Sequence, residues 1–211
     1  MKRFPIAALV CFGALAARGD LVITETIETS GSSAPATIGI KGQRVRIDLG
    51  VSGNSLIVDL SSGTAVALSS AEKSFTKLDL ASVRTQAQAL GGHVEKPVAS
   101  GKIEKVGDWN AEIYHAKSGG VAFDLWVAKD VPNLASIQEQ LRKLSEAGVA
   151  PSDLALFELP GVVVKTEING PKGKITSMVT GIEEAPLDES RFTVPADYRK
   201  AAGTGLPAPI P

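Results

Sequence analysis

Nucleophilic catalysis needs a Ser, Cys or Thr beside a His that an acid orients, and this chain offers few such parts. It contains two His, His93 and His115, and a single Cys, Cys11. No G-x-S-x-G occurs, and Ser55 after Gly53-Asn54 and Ser62 before Gly63 read as turn residues. Two His and no downstream Cys are too few ligands for a zinc or copper site, so neither metal nor other cofactor is expected. Asp48, Asp59 and Asp124 alternate with hydrophobic residues and belong on wet strand faces. Were both faces of a sheet covered, such an Asp would instead be buried against Arg44 or Arg46. Gly170-Pro171-Lys172-Gly173-Lys174 shares its residue types with a phosphate loop but lacks the following Ser/Thr and helix, so it reads as a hairpin turn. Trp109, Tyr114, Phe123 and Trp126 crowd into one expected strand pair, which serves either a packed core or an apolar ligand.

The elements that would position these residues are mostly strands. In RVRIDL, Val45, Ile47 and Leu49 point one way and Arg44, Arg46 and Asp48 the other. SLIVDL repeats this with Leu56, Val58 and Leu60, and SSG and SSAEK then turn the chain into TAVALS and SFTKL. LVITETIETS is an earlier strand, followed by a Ser/Gly/Pro turn over Gly31 to Pro35. A second series, GKIEKVG, NAEIYHAK and VAFDLWVAK, is followed by VVVKTEI and KITSMVTGIEE, and the last ordered element spans Phe192 to Tyr198.

Two stretches have helical period. Asp79 can cap a helix with Leu80, Val83, Ala87 and Leu90 on one stripe, ended by Gly91-Gly92. Asn133 can cap a second, with Leu134, Ile137, Leu141 and Leu144 apolar and Gln138, Glu139, Arg142 and Lys143 solvated. The expected fold is therefore α+β: one domain over 18–199, a curved antiparallel sheet of about ten strands forming an open half-barrel, with two helices across its concave side. The Pro/Gly/Ala-rich residues 200–211 are expected to be disordered.

The chain has 211 residues, 44% of them hydrophobic and 21% charged, an ordinary globular composition. A formal net charge of -1 gives no footprint for nucleic acid. Met1 to Ala17 reads as a secretory signal peptide: Lys2 and Arg3, an apolar run from Ile6 to Leu15, and Ala14-Leu15-Ala16 as the small-residue site. The mature protein is thus expected to be periplasmic or secreted, without a membrane-spanning segment and, lacking Cys, without a disulfide. Cys11 lies too deep in the apolar run for a lipid attachment site.

The succession KGQRVRIDLG, LIVDLSSGTAVAL, EKSFTKL, WNAEIYHAK, FDLWVAKDVP, LPGVVVKTEI and FTVPADY resembles the bacterial family called domain of unknown function 4412, over Leu21 to Tyr198. The resemblance implies an exported protein of the half-barrel type found in periplasmic lipoprotein carriers. It implies no activity and no catalytic residue.

From the sequence, the expected role is a non-enzymatic envelope protein that binds an apolar ligand, such as a lipid, or a lipidated partner. The residues expected to line its site are Val45, Ile47, Leu49, Leu56, Val58, Leu60, Phe123, Leu125 and Leu141. Small Ala65, Val66 and Ala67 would leave room beside them. The alternative is a structural module that engages another envelope protein through a sheet edge or the Pro-rich tail. A hydrolase is the remote alternative.

Overall fold

The computed structural model describes residues 19–50, 52–82, 85, 95–146, 159–170 and 173–201. The expected signal peptide, Gly91-Gly92, His93 and the tail beyond Ala201 lie outside these residues. The strands are β1 (Leu21–Thr29), β2 (Ser32–Lys41), β3 (Arg44–Leu49), β4 (Asn54–Asp59), β5 (Thr64–Ser69), β6 (Ser74–Asp79), β7 (Val98–Val106), β8 (Trp109–Ser118), β9 (Val121–Ala128), β10 (Val162–Gly170), β11 (Gly173–Glu184) and β12 (Arg199–Lys200). They form one open, curved sheet in the order β12-β6-β5-β4-β3-β2-β1-β11-β10-β9-β8-β7. Two runs of antiparallel strands in chain order, β1 to β6 and β7 to β11, thus meet at a single central pair, β1 with β11.

The sequence expected about ten strands, and the described residues form twelve. One addition is β12, whose two residues pair in parallel with Ser74 and Phe75; a period cannot be read from two residues. The expected turn over Gly31 to Pro35 also shrinks, because strand pairing with β1 already begins at Ser32.

The turns follow from local chemistry. Asp59 Oδ1 accepts from the backbone N–H groups of Ser61 and Ser62 at 2.9 and 3.2 Å, closing the β4–β5 turn ahead of Gly63, whose φ of 65° suits a residue without a Cβ. Hydrogen bonds from Ser61 lower the Asp59 pKa, so this residue is committed to the turn. Asp79 caps the helix α1, described at 80–82 and 85, by accepting from Ser82 N at 3.1 Å. Asn133 precedes α2 (Leu134–Glu146) with φ 55°, its carbonyl accepting from Ile137 N at 3.2 Å as the residue at the helix start, while its amide donates to Glu184 Oε2 at 3.2 Å. Gln138, expected in solvent, donates to Leu159 O and Gly161 O, each at 3.3 Å, and so ties α2 to the entry of β10.

One face of the sheet carries a single apolar cluster from Ala65 on β5 to Val106 on β7, nine strand steps apart, joined by Leu80 of α1 and Ile137 of α2. The other face carries two separate clusters. A curved sheet gathers side chains on its inside and spreads them outside, so the helix-bearing face is the inner one. On the outside, the segment from Ala185 to Tyr198 crosses β2 to β6 as a strap, with Leu187 and Phe192 buried against Ile57 and Leu68. The strap is tied down by Lys41, which donates to Asp20 Oδ2 and Leu187 O at 2.9 and 2.7 Å, and by Arg46, which donates to Arg191 O at 2.8 Å. Beneath it Asp48 accepts from Arg46 Nε at 2.7 Å and Ser55 Oγ at 2.6 Å, so an Asp–Arg contact forms, but with the Asp48 side chain 31% exposed rather than buried.

Candidate functional site

Cross-strand register sorts the inner face into rows. In the first, Leu21, Ile40, Val45, Val58 and Ala65 stand side by side and are at most 2% exposed. Leu78 continues this row, next to the start of α1. One step further from the helix, Ile23, Ile38, Ile47, Leu56 and Ala67 form the second row. Here Ile38, Ile47 and Leu56 are only partly buried, on three adjacent strands. The row is contiguous, unlike the scattered apolar residues of an ordinary surface.

Of the residues expected to line a site, Val45 and Val58 fall in the sealed row, while Ile47 and Leu56 fall in the open one. Leu60 and Leu141 pack partly buried against the same inner cluster. Leu49 lies half-buried in a third row between Ala36 and Asn54. Phe123 and Leu125 do not join them. They point to the outer face, packed with Tyr114, Val127 and Leu159. It is Trp126 that faces inward from β9. The reason is that VAFDLWVA is apolar on both faces of a doubly covered strand, so Asp124 marks Trp126's side as wet when it is in fact the inside. The four aromatics likewise divide, Trp109 and Trp126 inside, Tyr114 and Phe123 outside. Ala65 and Ala67 share the inner rows, whereas Val66 belongs to the outer cluster under the strap.

The β8–β11 wing adds a polar margin that sequence reasoning missed. Glu104 on the exposed strand β7 pairs with the small Ala111, and its carboxylate accepts from Trp126 Nε1 at 2.8 Å. Lys165 stands opposite both Trp126 and Met178 in register, with Nζ 4.0 Å from the indole centroid. Lys165 and Lys174 both reach Glu167, at 2.8 Å to Oε1 and 2.7 Å to Oε2. His115 Nδ1 lies 2.6 Å from Asp124 Oδ1, and Asp124 is the cross-strand neighbour of Glu167. The inner face of this wing thus turns from apolar to charged at Trp126 and Lys165. A bulge between Val163 and Lys165 sets this arrangement by letting Val164 and Lys165 both face inward, which a simple alternation along VVVKTEI would not announce.

His115 with Asp124 supplies two parts of a hydrolytic triad. Their side chains are 61% and 36% exposed, and among the described hydrogen bonds no hydroxyl reaches the ring. No group of three metal-ligating side chains occurs among the described residues. None of the described helices is long and apolar enough to cross a membrane.

Glu167 has a displaced titration. Burial pushes its pKa up, but hydrogen bonds from Lys165 and Lys174 outweigh that and hold it below the ordinary value of 4.5. A lowered folded pKa stabilises the fold above the ordinary value, and the contribution is lost as pH falls through the folded one. Glu167→Gln is therefore expected to show a shallower loss of thermal stability than the parent between about pH 5 and pH 3. Parallel melting curves through that window would show that the pairings contribute nothing.

The family profile described as Domain of unknown function (DUF4412) matches residues 18–198. No curated protein matches the sequence. Among solved structures the chain is similar to PNGF-II, with TM-score 0.45 and 11% identity over 87% of this chain and 31% of that one. It is similar to a chain of the Pseudomonas aeruginosa MucA/MucB complex, with TM-score 0.43 and 13% identity over 85% and 57%. LprF from Mycobacterium bovis gives TM-score 0.37 and 11% identity over 86% and 90%. The chain thus spans under a third of the PNGF-II chain and somewhat over half of the MucA/MucB one.

Proposed function

The chain belongs to the DUF4412 family of domains of unknown function, and we propose that it is an exported, non-enzymatic envelope protein that holds an apolar ligand or a lipidated partner on the inner face of its sheet. The signal-like Met1 to Ala17 supports export. The observation that carries the reading is the open second row: Ile38, Ile47 and Leu56 sit next to a fully sealed row, partly exposed and contiguous. Apolar surface left beside a completed core is available to an apolar guest.

A protein-interaction module is the second reading, and β7 favours it. Among the described strands this one pairs only with β8, and Val98 and Ile103 on it are 66% and 70% exposed. Against it, the register breaks between Ala99 and Ile103, Gly101 takes φ 72°, and Lys102 N–H is spent on Ser100 Oγ at 3.1 Å. Such a bulge with lysines beside it blunts an edge against strand addition.

Native mass spectrometry of the protein exported from its own host and purified without detergent tests the first reading. A near-stoichiometric lipid adduct is expected, identified by solvent extraction. A bare mass, with no uptake of a fluorescent fatty acid, would overturn it and leave the partner-protein reading.

A further inference from the structure

We propose that the ligand is a lipid whose head ends in a protonated amine, which Glu25 receives while the chain lies across Ile38, Ile47 and Leu56; this rests on the apolar-ligand reading above. The two faces of β1 to β6 divide their charges unequally. Alternation and register put Lys41, Arg44, Arg46, Asp48, Asp59 and Lys77 on the outer face. Among the described residues of these six strands, Glu25 is the one charge on the inner face. It heads the third row, beside Ala36, Leu49, Asn54 and Ser69. An inward charge on an apolar floor costs free energy unless something pairs with it.

The sign of the head follows from what surrounds that carboxylate. Ile23 and Ile27 flank it along β1, while Ala36 stands across on β2 and Val179 across on β11. Ile23, Ala36 and Val179 are buried, and Glu25 itself is half-buried. Its described hydrogen bond comes from a neutral hydroxyl, Ser177 Oγ donating to Oε2 at 2.8 Å, and Oε1 has no described partner. Asp48 and Glu167 each meet a cation, whereas among the described ion pairs none includes Glu25. A carboxylate oxygen left open amid apolar side chains is matched best by an N–H donor that carries a positive charge. A carboxylate or phosphate head would be repelled there. The apolar path begins at once, since Ile23 opens the row of Ile38, Ile47 and Leu56. Leu56 lies three strand steps from β1, about 14 Å at ~4.8 Å per strand, which a long alkyl chain can span.

The test is displacement of N-phenyl-1-naphthylamine, a neutral apolar fluorophore, from the full mature protein near neutral pH by decylamine, decanol or decanoate, which share a chain and differ in the head. The amine is expected to act at a concentration at least about tenfold below that of the alcohol, with decanoate the weakest, and the preference is expected to fall as salt rises. Glu25→Gln, which keeps the shape and an acceptor for Ser177, is expected to bring amine and alcohol together without loss of alcohol binding. Glu25→Thr, a good strand former, provides the same comparison should the first variant fail to fold. Equal displacement by amine and alcohol, or an amine preference untouched in either variant, would overturn the head assignment alone. Failure of the fluorophore to bind, or binding that none of the three displaces, would overturn the apolar-ligand reading beneath it.

Discussion

Phe192→Ala is expected to lower the stability of the fold by about 3–5 kcal/mol, the range for emptying a buried aromatic site. Phe192 is 7% exposed and fills the outer cluster between Ile57, Leu68 and Leu187. The Arg44 guanidinium lies 5.3 Å from its ring centroid, and Arg44 also pairs with Glu189. Removing the ring therefore opens a cavity and loosens a cation held between two strap residues. The ion pairs that remain cannot hold the strap by themselves, since partly exposed pairs contribute only about 0–1 kcal/mol each. Lys73 with Asp197, both well exposed, is of that kind. Hydrogen exchange is the measurement. Amides of the strap from Ala185 to Tyr198 should lose protection before those of β7 to β10. Uniform loss across the sheet would mean that the strap does not rest on Phe192.

Gly161→Ala is expected to cost roughly 2–4 kcal/mol, through overpacking. A Cβ on Gly161 would come within 2.8 Å of Ala128 C and 2.9 Å of Val127 Cγ1, and would press on the Ala128 carbonyl oxygen. A side-chain tip could move away, but these are a strand backbone and a fully buried valine. The chain cannot retreat either: Val162 pairs with Ala128 immediately afterwards, and Gly161 O accepts from Gln138 on α2. Melting by circular dichroism should show a Tm lower by about 5–15 °C, at ~2–4 °C per kcal/mol for a domain of this size. A Tm within about 2 °C of the parent would mean that β10 has slack at its entry.

Much of the sheet is legible because hairpins write their boundaries locally. RVRIDL and TAVALS coincide with β3 and β5, and the Asp79 cap stands where its spacing puts it. Sequence also brings Val45, Ile47, Leu56 and Val58 together, since alternation within a strand and turn length between strands fix which residues share a face. It fails where two covered faces erase the alternation, as at Phe123, Leu125 and Trp126. It fails again where a bulge shifts the phase, at Val163 to Lys165, and so the charged margin goes unread. The partners of Lys165 on β9 and β11 depend on long-range register that no local pattern carries.

The pairing of β1 with β11 has a kinetic meaning. Every other antiparallel pair in the sheet joins strands that follow one another in the chain, whereas Leu21 meets Glu184 and Glu28 meets Thr176. β1 to β6, β7 to β9, and β10 with β11 can each zip up from their own turns on the timescale of hairpins, β9 meeting β10 only across the segment that carries α2, but joining β1 to β11 requires closing a loop of almost the whole domain. That closure governs the folding rate, and until it happens β1 and β11 are two open edges exposed to other chains.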